Sequence, residues 1–241
     1  MRGALRALIF DVDGTLAETE EVHRTSFNKA FEEHGLPWRW SVEEYRTLLK
    51  TTGGKERILA FAQGPAAVGG LLIESLRNPI LQDLHRRKTE LYTTEVRSGR
   101  IMLRDGIAEL IACARERGLR LAIATTTSRP NVDALLEGNR DLVDPAWFEV
   151  MACGDEVQQK KPDPAVYLLA LERMGIAASE ALAIEDSWNG VEAARRAGVP
   201  VAAIPGIYTA GEDLSAADYL CANAFQLIMR LQCGGAQPPP A

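Results

Sequence analysis

The sequence predicts an α/β fold, a doubly wound parallel sheet carrying an inserted helical domain. Three observations predict it. From residue 105 onward, short apolar runs alternate with amphipathic stretches, the pattern of a parallel sheet with helices on both faces. A further apolar run, Ala7-Leu8-Ile9-Phe10, stands near the start and ends abruptly in Asp11-Val12-Asp13-Gly14-Thr15. Between these parts, residues 17–96 carry helical periodicity and no strong strand.

The elements follow in order. Residues 5–10 form the first strand of the sheet. Residues 20–34, 42–50, 55–62 and 78–92 are helices of the insertion, and residues 64–70 form a loop within it. Asp105 is placed to N-cap a helix with Ile107, Leu110, Ile111 and Ala114 on one face, ended by Gly118. Residues 119–124 are a buried strand, 129–136 a helix and 149–153 a short strand. Asp163 and Pro164 start the next helix as N-cap and first helical residue, and Gly175 ends it. Strand 181–184, helix 189–197 and strand 201–204 complete the alternation. The domains expected are a core of residues 1–16 with 97–232, a helical domain of 17–96 and a disordered Gly/Pro-rich tail of 233–241.

A chain of 241 residues with 46% hydrophobic and 25% charged residues is ordinary for a soluble globular protein. The net charge of −6, without a basic run, gives nucleic-acid binding no electrostatic support. No apolar stretch approaches the roughly 20 residues of a membrane span. The first strand begins within a few residues of Met1, leaving no room for a cleavable targeting segment. The four cysteines, Cys113, Cys153, Cys221 and Cys233, lack metal-ligand spacing and fit buried thiols in a reducing cytoplasm. Nothing points to an obligate protein partner, and a monomer is the expectation.

Four signals carry chemistry. Asp11 and Asp13 stand at the end of a buried strand, where unpaired carboxylates are prohibitive. Such a pair is either ion-paired, metal-bound or reactive, one acid a nucleophile and the other an acid/base with Mg²⁺ neutralising both, or simply an Asx turn after a strand. Thr125, Thr126, Thr127 and Ser128 follow a second strand and enter a helix, which suits a phosphate but equally suits simple helix capping. Lys160 and Lys161 precede a helix start, and one of them could hold a phosphate, although a solvated surface pair looks the same. Glu185 and Asp186 end another apolar strand, giving either acidic turn residues or the second half of an oxygen-rich Mg²⁺ site. Ligands of open parallel sheets bind at the carboxyl ends of strands. All four signals fall on that edge, which makes coincidence a poor explanation.

In this order, the motifs Asp11-x-Asp13-Gly14-Thr15, Thr125, Lys161-Pro162 and Glu185-Asp186 resemble those of the haloacid dehalogenase superfamily. The resemblance covers essentially the whole chain, with the insertion as a cap domain. It implies that Asp11 attacks phosphorus to form an aspartyl-phosphate, while Asp13 protonates the leaving oxygen and then activates water. Thr125 and Lys161 would hold phosphoryl oxygens. Mg²⁺ would be bound by the Asp11 carboxylate, the Asp13 carbonyl and Asp186, with Glu185 as an orienter or second acid. Asp13 argues against the sister dehalogenases and phosphonatases, but not against a phosphomutase.

The cap should choose the ester. Glu20 and His23 are three apart on a helix and share a face, either to bind sugar hydroxyls or as part of a helix-capping pattern after Thr19. Gly53, Gly54, Lys55 and Arg57 combine a pliable backbone with two cations in the first turn of a helix, where cations oppose the dipole. That is sensible if they face an anion, and the competing reading is an ordinary surface loop. The functional reading is a second phosphate site facing the nucleophile. His34 and His85 are expected to be ordinary surface or core positions. The words Asp-Val-Asp-Gly-Thr-Leu-Ala-Glu-Thr-Glu, Thr-Thr-Gly-Gly-Lys-Glu-Arg and Ala-Thr-Thr-Thr-Ser resemble the CbbY group of the superfamily. That resemblance implies a phosphatase converting xylulose-1,5-bisphosphate, a Rubisco inhibitor, to xylulose 5-phosphate. The alternatives are a β-phosphoglucomutase-like enzyme, a broad sugar-phosphate phosphatase or a non-catalytic phosphate-binding, receiver-like protein. The intact Asp13 and the large insertion speak against the last. Two departures from the group are the irregular residues 63–79 and Asp105, where proline is expected.

Overall fold

The computed structural model describes residues 4–64 and 77–233. Six parallel strands form one sheet in the order β3-β2-β1-β4-β5-β6. These are β1 (Ala7–Phe10), β2 (Arg120–Ala124), β3 (Phe148–Ala152), β4 (Ala181–Glu185), β5 (Val201–Ala203) and β6 (Tyr219–Leu220). Alternate residues of β1 face opposite layers. Leu8 and Phe10 join a core with α5 (Ile107–Glu116), α6 (Arg129–Gly138) and α9 (Ala224–Cys233). Ala7 and Ile9 join another with α7 (Ala165–Met174) and α8 (Trp188–Arg196). Because both faces are covered, the central strands read as continuous apolar runs.

Four helices interrupt the alternation after β1: α1 (Glu20–Glu33), α2 (Val42–Leu48), α3 (Gly54–Ala62) and α4 (Pro79–Glu95). They pack around an aromatic core of their own, in which Phe27, Phe31, Trp38, Trp40, Tyr45 and Phe61 interlock. The chain leaves through a π-helical turn, Val96–Arg100, and returns to the sheet at Leu103, which bridges to Ala17. Both crossings between helical unit and sheet therefore lie side by side.

Register positions the site. Phe10 is level with Ile123 on one side and Ile184 on the other. Asp11 consequently emerges beside Glu185, between β1, which connects to β2 on one side, and β4, which connects to β5 on the other.

Several expectations need correction. Asp105 does not cap α5; Gly106 occupies the N-cap with φ 81°, no side chain caps the helix, and a Cβ there would lie 3.1 Å from Ala224 and Phe225 of α9. Asp163 does accept the Ala165 N–H at 2.9 Å, but α7 starts after Pro164. Two elements, β6 and α9, were not anticipated. Other boundaries move by a few residues, the ordinary scatter of element ends. The loop expected at 64–70 and the irregular stretch 63–79 lie mostly outside the described residues, as does the tail beyond residue 233.

Candidate active site

Lys161 is the centre of the buried charge. Its Nζ donates to Asp11 Oδ1 and to Glu185 Oε1, each at 2.6 Å. Tyr167, on α7, donates its hydroxyl to the same Glu185 oxygen at 2.5 Å. Glu185 is fully buried, and a Cβ on Gly190 would overlap its carboxylate, so glycine is required where α8 crosses β4. Asp186 follows and accepts a 3.0 Å hydrogen bond from Thr209 Oγ1. Oxygens of Asp11, Glu185 and Asp186 lie within 4.8 Å of one another.

Three buried carboxylates against one lysine leave excess negative charge, which is costly. Burial, reinforced by Glu185 and Asp13 and opposed by Lys161, pushes Asp11 up to about 8. Burial, with Asp11 and Glu185, raises Asp186 well above the carboxylate range. The remedy for such repulsion is a hard cation with oxygen ligands. The residues fit one: Lys161 takes one oxygen each of Asp11 and Glu185, leaving the second Asp11 oxygen and Asp186 for a cation, and Glu185 Oε2 is buried without a hydrogen-bond partner. Glycines stand where a side chain would fill the space, since a Cβ on Gly14 would lie 2.2 Å from Asp186 Oδ2.

Asp13 has a different surrounding. Its Oδ1 accepts the Thr19 hydroxyl at 2.5 Å and His23 Nε2 at 2.9 Å. Burial opposes ionised Asp13, but His23, Thr19 and Lys88 together hold its carboxyl well below the usual range. His23 stacks on Tyr92 at 4.1 Å, and its Nδ1 contacts Lys88 Nζ. Burial lowers His23, and burial also lowers Lys88 to about 7. Two neighbouring aspartates thus sit in opposite electrostatic settings; Asp11 would need a cation beside it to stand as an ionised nucleophile, and Asp13 would need a proton delivered to it to act as an acid.

A cavity of about 590 Å³ joins these groups to the helical unit. Asp11, Asp13, Glu20, His23, Gly53, Gly54, Lys55, Arg57, Thr126, Thr127, Lys161 and Asp186 all line it, so nearly every residue expected from the sequence converges on one space. Thr125 and Glu185 stand behind the wall. The Thr125 hydroxyl accepts the Thr127 N–H at 3.2 Å, and Asn131 donates to Thr127 Oγ1 at 2.8 Å. Glu20 accepts the Tyr45 hydroxyl at 2.9 Å. Arg57 holds the turn before α3: it donates to the carbonyls of Leu48 and Thr51 and to Tyr45 Oη. Lys55 has no ion-pair partner among the described residues. Lys160 holds the carbonyls of Gly154 and Val157 at 2.7 Å, so Lys161 is the site lysine.

His85 corrects an expectation: it lines the cavity, and a Cβ on Gly54 would be 2.7 Å from its Nε2. Burial, with Lys88 and Lys55 nearby, lowers it to about 3, leaving a neutral imidazole. Lys88, Asn131 and Thr209 were also missed. Lys88 carried a readable signal, since it interrupts the buried α4 stripe Leu81, Leu84, Tyr92. A lysine in an apolar stripe calls for a partner.

Comparison with known proteins agrees with this geometry. Residues 5–198 match the model of the haloacid dehalogenase-like hydrolases. The CbbY protein of Rhodobacter capsulatus is 51% identical over 231 residues, covering 94% of this chain and 99% of that one. A crystal structure of CbbY from Rhodobacter sphaeroides in complex with phosphate superposes with a TM-score of 0.85 at 45% identity, covering 92% of this chain and 96% of the other. A mutant of that protein in complex with xylulose-(1,5)bisphosphate gives 0.86 at the same identity and coverage. The chain belongs to the haloacid dehalogenase-like hydrolases, within the group of the CbbY proteins, and is a phosphatase.

Proposed function

We propose that this phosphatase is Mg²⁺-dependent and hydrolyses a sugar bisphosphate, with xylulose-1,5-bisphosphate as substrate and xylulose 5-phosphate as product. The observation that carries the reading is that one cavity is lined from both the sheet and the helical unit. Asp11, Lys161 and Asp186 line it from the sheet, while Gly53, Gly54 and Lys55, which has no ion-pair partner among the described residues, line it from the helical unit and offer an anion a second seat. The CbbY structure with xylulose-(1,5)bisphosphate supports the choice of sugar.

In the proposed reaction, an Asp11 carboxylate oxygen attacks phosphorus and the sugar–oxygen bond to phosphorus breaks. Asp13 gives its proton to the departing oxygen and then takes one from the water that cleaves the aspartyl-phosphate. Asp13 receives that proton through His23: Nε2–H passes to Asp13 as the Lys88 ammonium gives a proton to Nδ1, and the reverse transfer returns the proton taken from water. Lys161 orients Asp11 and balances phosphoryl charge. Bound Mg²⁺, held by Asp11 and Asp186, would neutralise the carboxylates and the phosphoryl oxygens. Residues 17–96 act as the cap and residues 1–16 with 97–232 as the core. The phosphorylated sugar is the only partner in this reading; the enzyme works as a monomer, without nucleic acid or membrane, in a reducing cytoplasm. Among the described residues no helix is long and apolar enough to cross a membrane.

Lys55→Ala tests the second seat. Its KM should rise about tenfold or more for the bisphosphate, the cost of one charge-assisted contact, and little for a monophosphate. Equal effects on both would remove the second-phosphate reading.

A further inference from the structure

Arg104 lies behind the site, outside the cavity, and no motif includes it. Its guanidinium donates to three backbone carbonyls: Gly14, Ile204 at 3.0 Å and Pro205 at 2.7 Å. Its Nε lies 3.3 Å from Glu18 Oε1. Glu18 in turn accepts the Ile207 N–H at 3.1 Å. One side chain therefore joins the loop after β1 to the loop after β5.

Those two loops flank the Asp186 carboxylate. A Cβ on Gly14 would lie 2.2 Å and one on Gly206 3.1 Å from the same Asp186 Oδ2, and the latter would lie 3.2 Å from the Gly14 carbonyl oxygen. The Gly206 N–H donates to Thr209 Oγ1 at 2.9 Å, and Thr209 donates to Asp186. A continuous path thus runs from Arg104 through Pro205, Gly206 and Thr209 to the carboxylate. The other end of the pair reaches the cap. Glu18 lies between Ala17 and α1, and Arg104 directly follows Leu103, the residue bridged to Ala17. Both chain crossings meet at this ion pair.

We propose that Arg104 is a positioning residue. It fixes the spacing between the Gly14 and Gly206 walls so that Asp11 and Asp186 can share a divalent cation, and Glu18 ties that spacing to the cap crossings. Planarity and five donors suit a guanidinium to several carbonyls at once, a task lysine performs only in part. The inference rests on the cation reading above.

The test is direct Mn²⁺ binding, followed by electron paramagnetic resonance, with steady-state kinetics and thermal melting on the same proteins. For Arg104→Met, the inference predicts about tenfold weaker Mn²⁺ binding and about tenfold lower kcat, the size seen when partners behind metal ligands are removed, with KM nearly unchanged. Arg104→Lys should fall between Met and wild type in both. Glu18→Gln, which keeps the carbonyl contacts, should keep wild-type Mn²⁺ affinity and lower kcat. It also carries the test with Arg104→Lys if the Met variant does not fold. A folded Arg104→Met or Arg104→Lys protein with wild-type Mn²⁺ affinity and kcat overturns the inference alone. A wild type that binds no Mn²⁺ overturns the cation reading, and the inference falls with it.

Discussion

Asp11 and Asp13 are two residues apart, yet one is pushed up and the other held down. A pleat would put residues two apart on one face, but the strand ends at Phe10 and the chain then turns on the Val12 carbonyl, so Asp11 meets Lys161 while Asp13 meets Thr19 and His23. Asp11→Asn should keep the fold and the Lys161 contact but lose turnover by at least about 10³-fold, read as phosphate release; appreciable residual turnover would move the nucleophile elsewhere. Lys88 gives a pH prediction. Its folded value is about 7 against an ordinary 10.5, so between these the unfolded chain binds more protons and stability rises with pH. Lys88→Met should remove that rise, seen as a urea midpoint that no longer climbs from about pH 7 to about pH 10; an unchanged climb would contradict the burial argument. At this scale the acids were legible because carboxylates are costly at the ends of buried strands, whereas Lys161, in a loop, was told apart from Lys160 only by the family resemblance. Thr209 was not legible, since its contact with Asp186 depends on how a patternless loop folds back.

At the scale of elements, the sheet was legible from its alternation, because strands buried on both faces must read as apolar runs. The two-residue β6 is too short to form a pattern. The end of α5 was readable at Gly118, but its start was not: an aspartate looked like a cap, whereas close packing of α9 requires Gly106. The Gly53-Gly54 turn shows the same principle in the cap. Gly53 has φ 89° and ψ 131°, a positive-φ conformation that costs other residues about 1–3 kcal/mol. Gly53→Ala should lower unfolding free energy by about that amount, measured by urea denaturation, and raise KM for the bisphosphate by displacing the turn. A variant with unchanged stability and KM would mean that the turn does not set the seat.

The whole molecule is a core and a helical unit drawn together over one cavity. Thr52 donates to the Lys161 carbonyl, Glu56 lies 3.9 Å from Lys160, and Tyr208 donates to Glu21 at 2.5 Å while its ring meets Tyr45 and Arg46. Tyr208 is a half-buried side chain on a loop of the sheet unit, so removing it should affect how the helical unit seats over the cavity more than folding. Tyr208→Ala should raise KM several-fold with little change in melting temperature, because its contacts are worth only about 1 kcal/mol. A melting-temperature drop with unchanged KM would make it a folding contact instead. The central claim is the reaction itself. It is tested most directly by phosphate release, with and without Mg²⁺, from xylulose-1,5-bisphosphate alongside ribulose-1,5-bisphosphate, xylulose 5-phosphate, β-glucose 1-phosphate and phosphoglycolate. The account predicts Mg²⁺-dependent release with strong preference for the xylulose bisphosphate over its ribulose epimer; equal, weak release from every ester, or release independent of Mg²⁺, would contradict it.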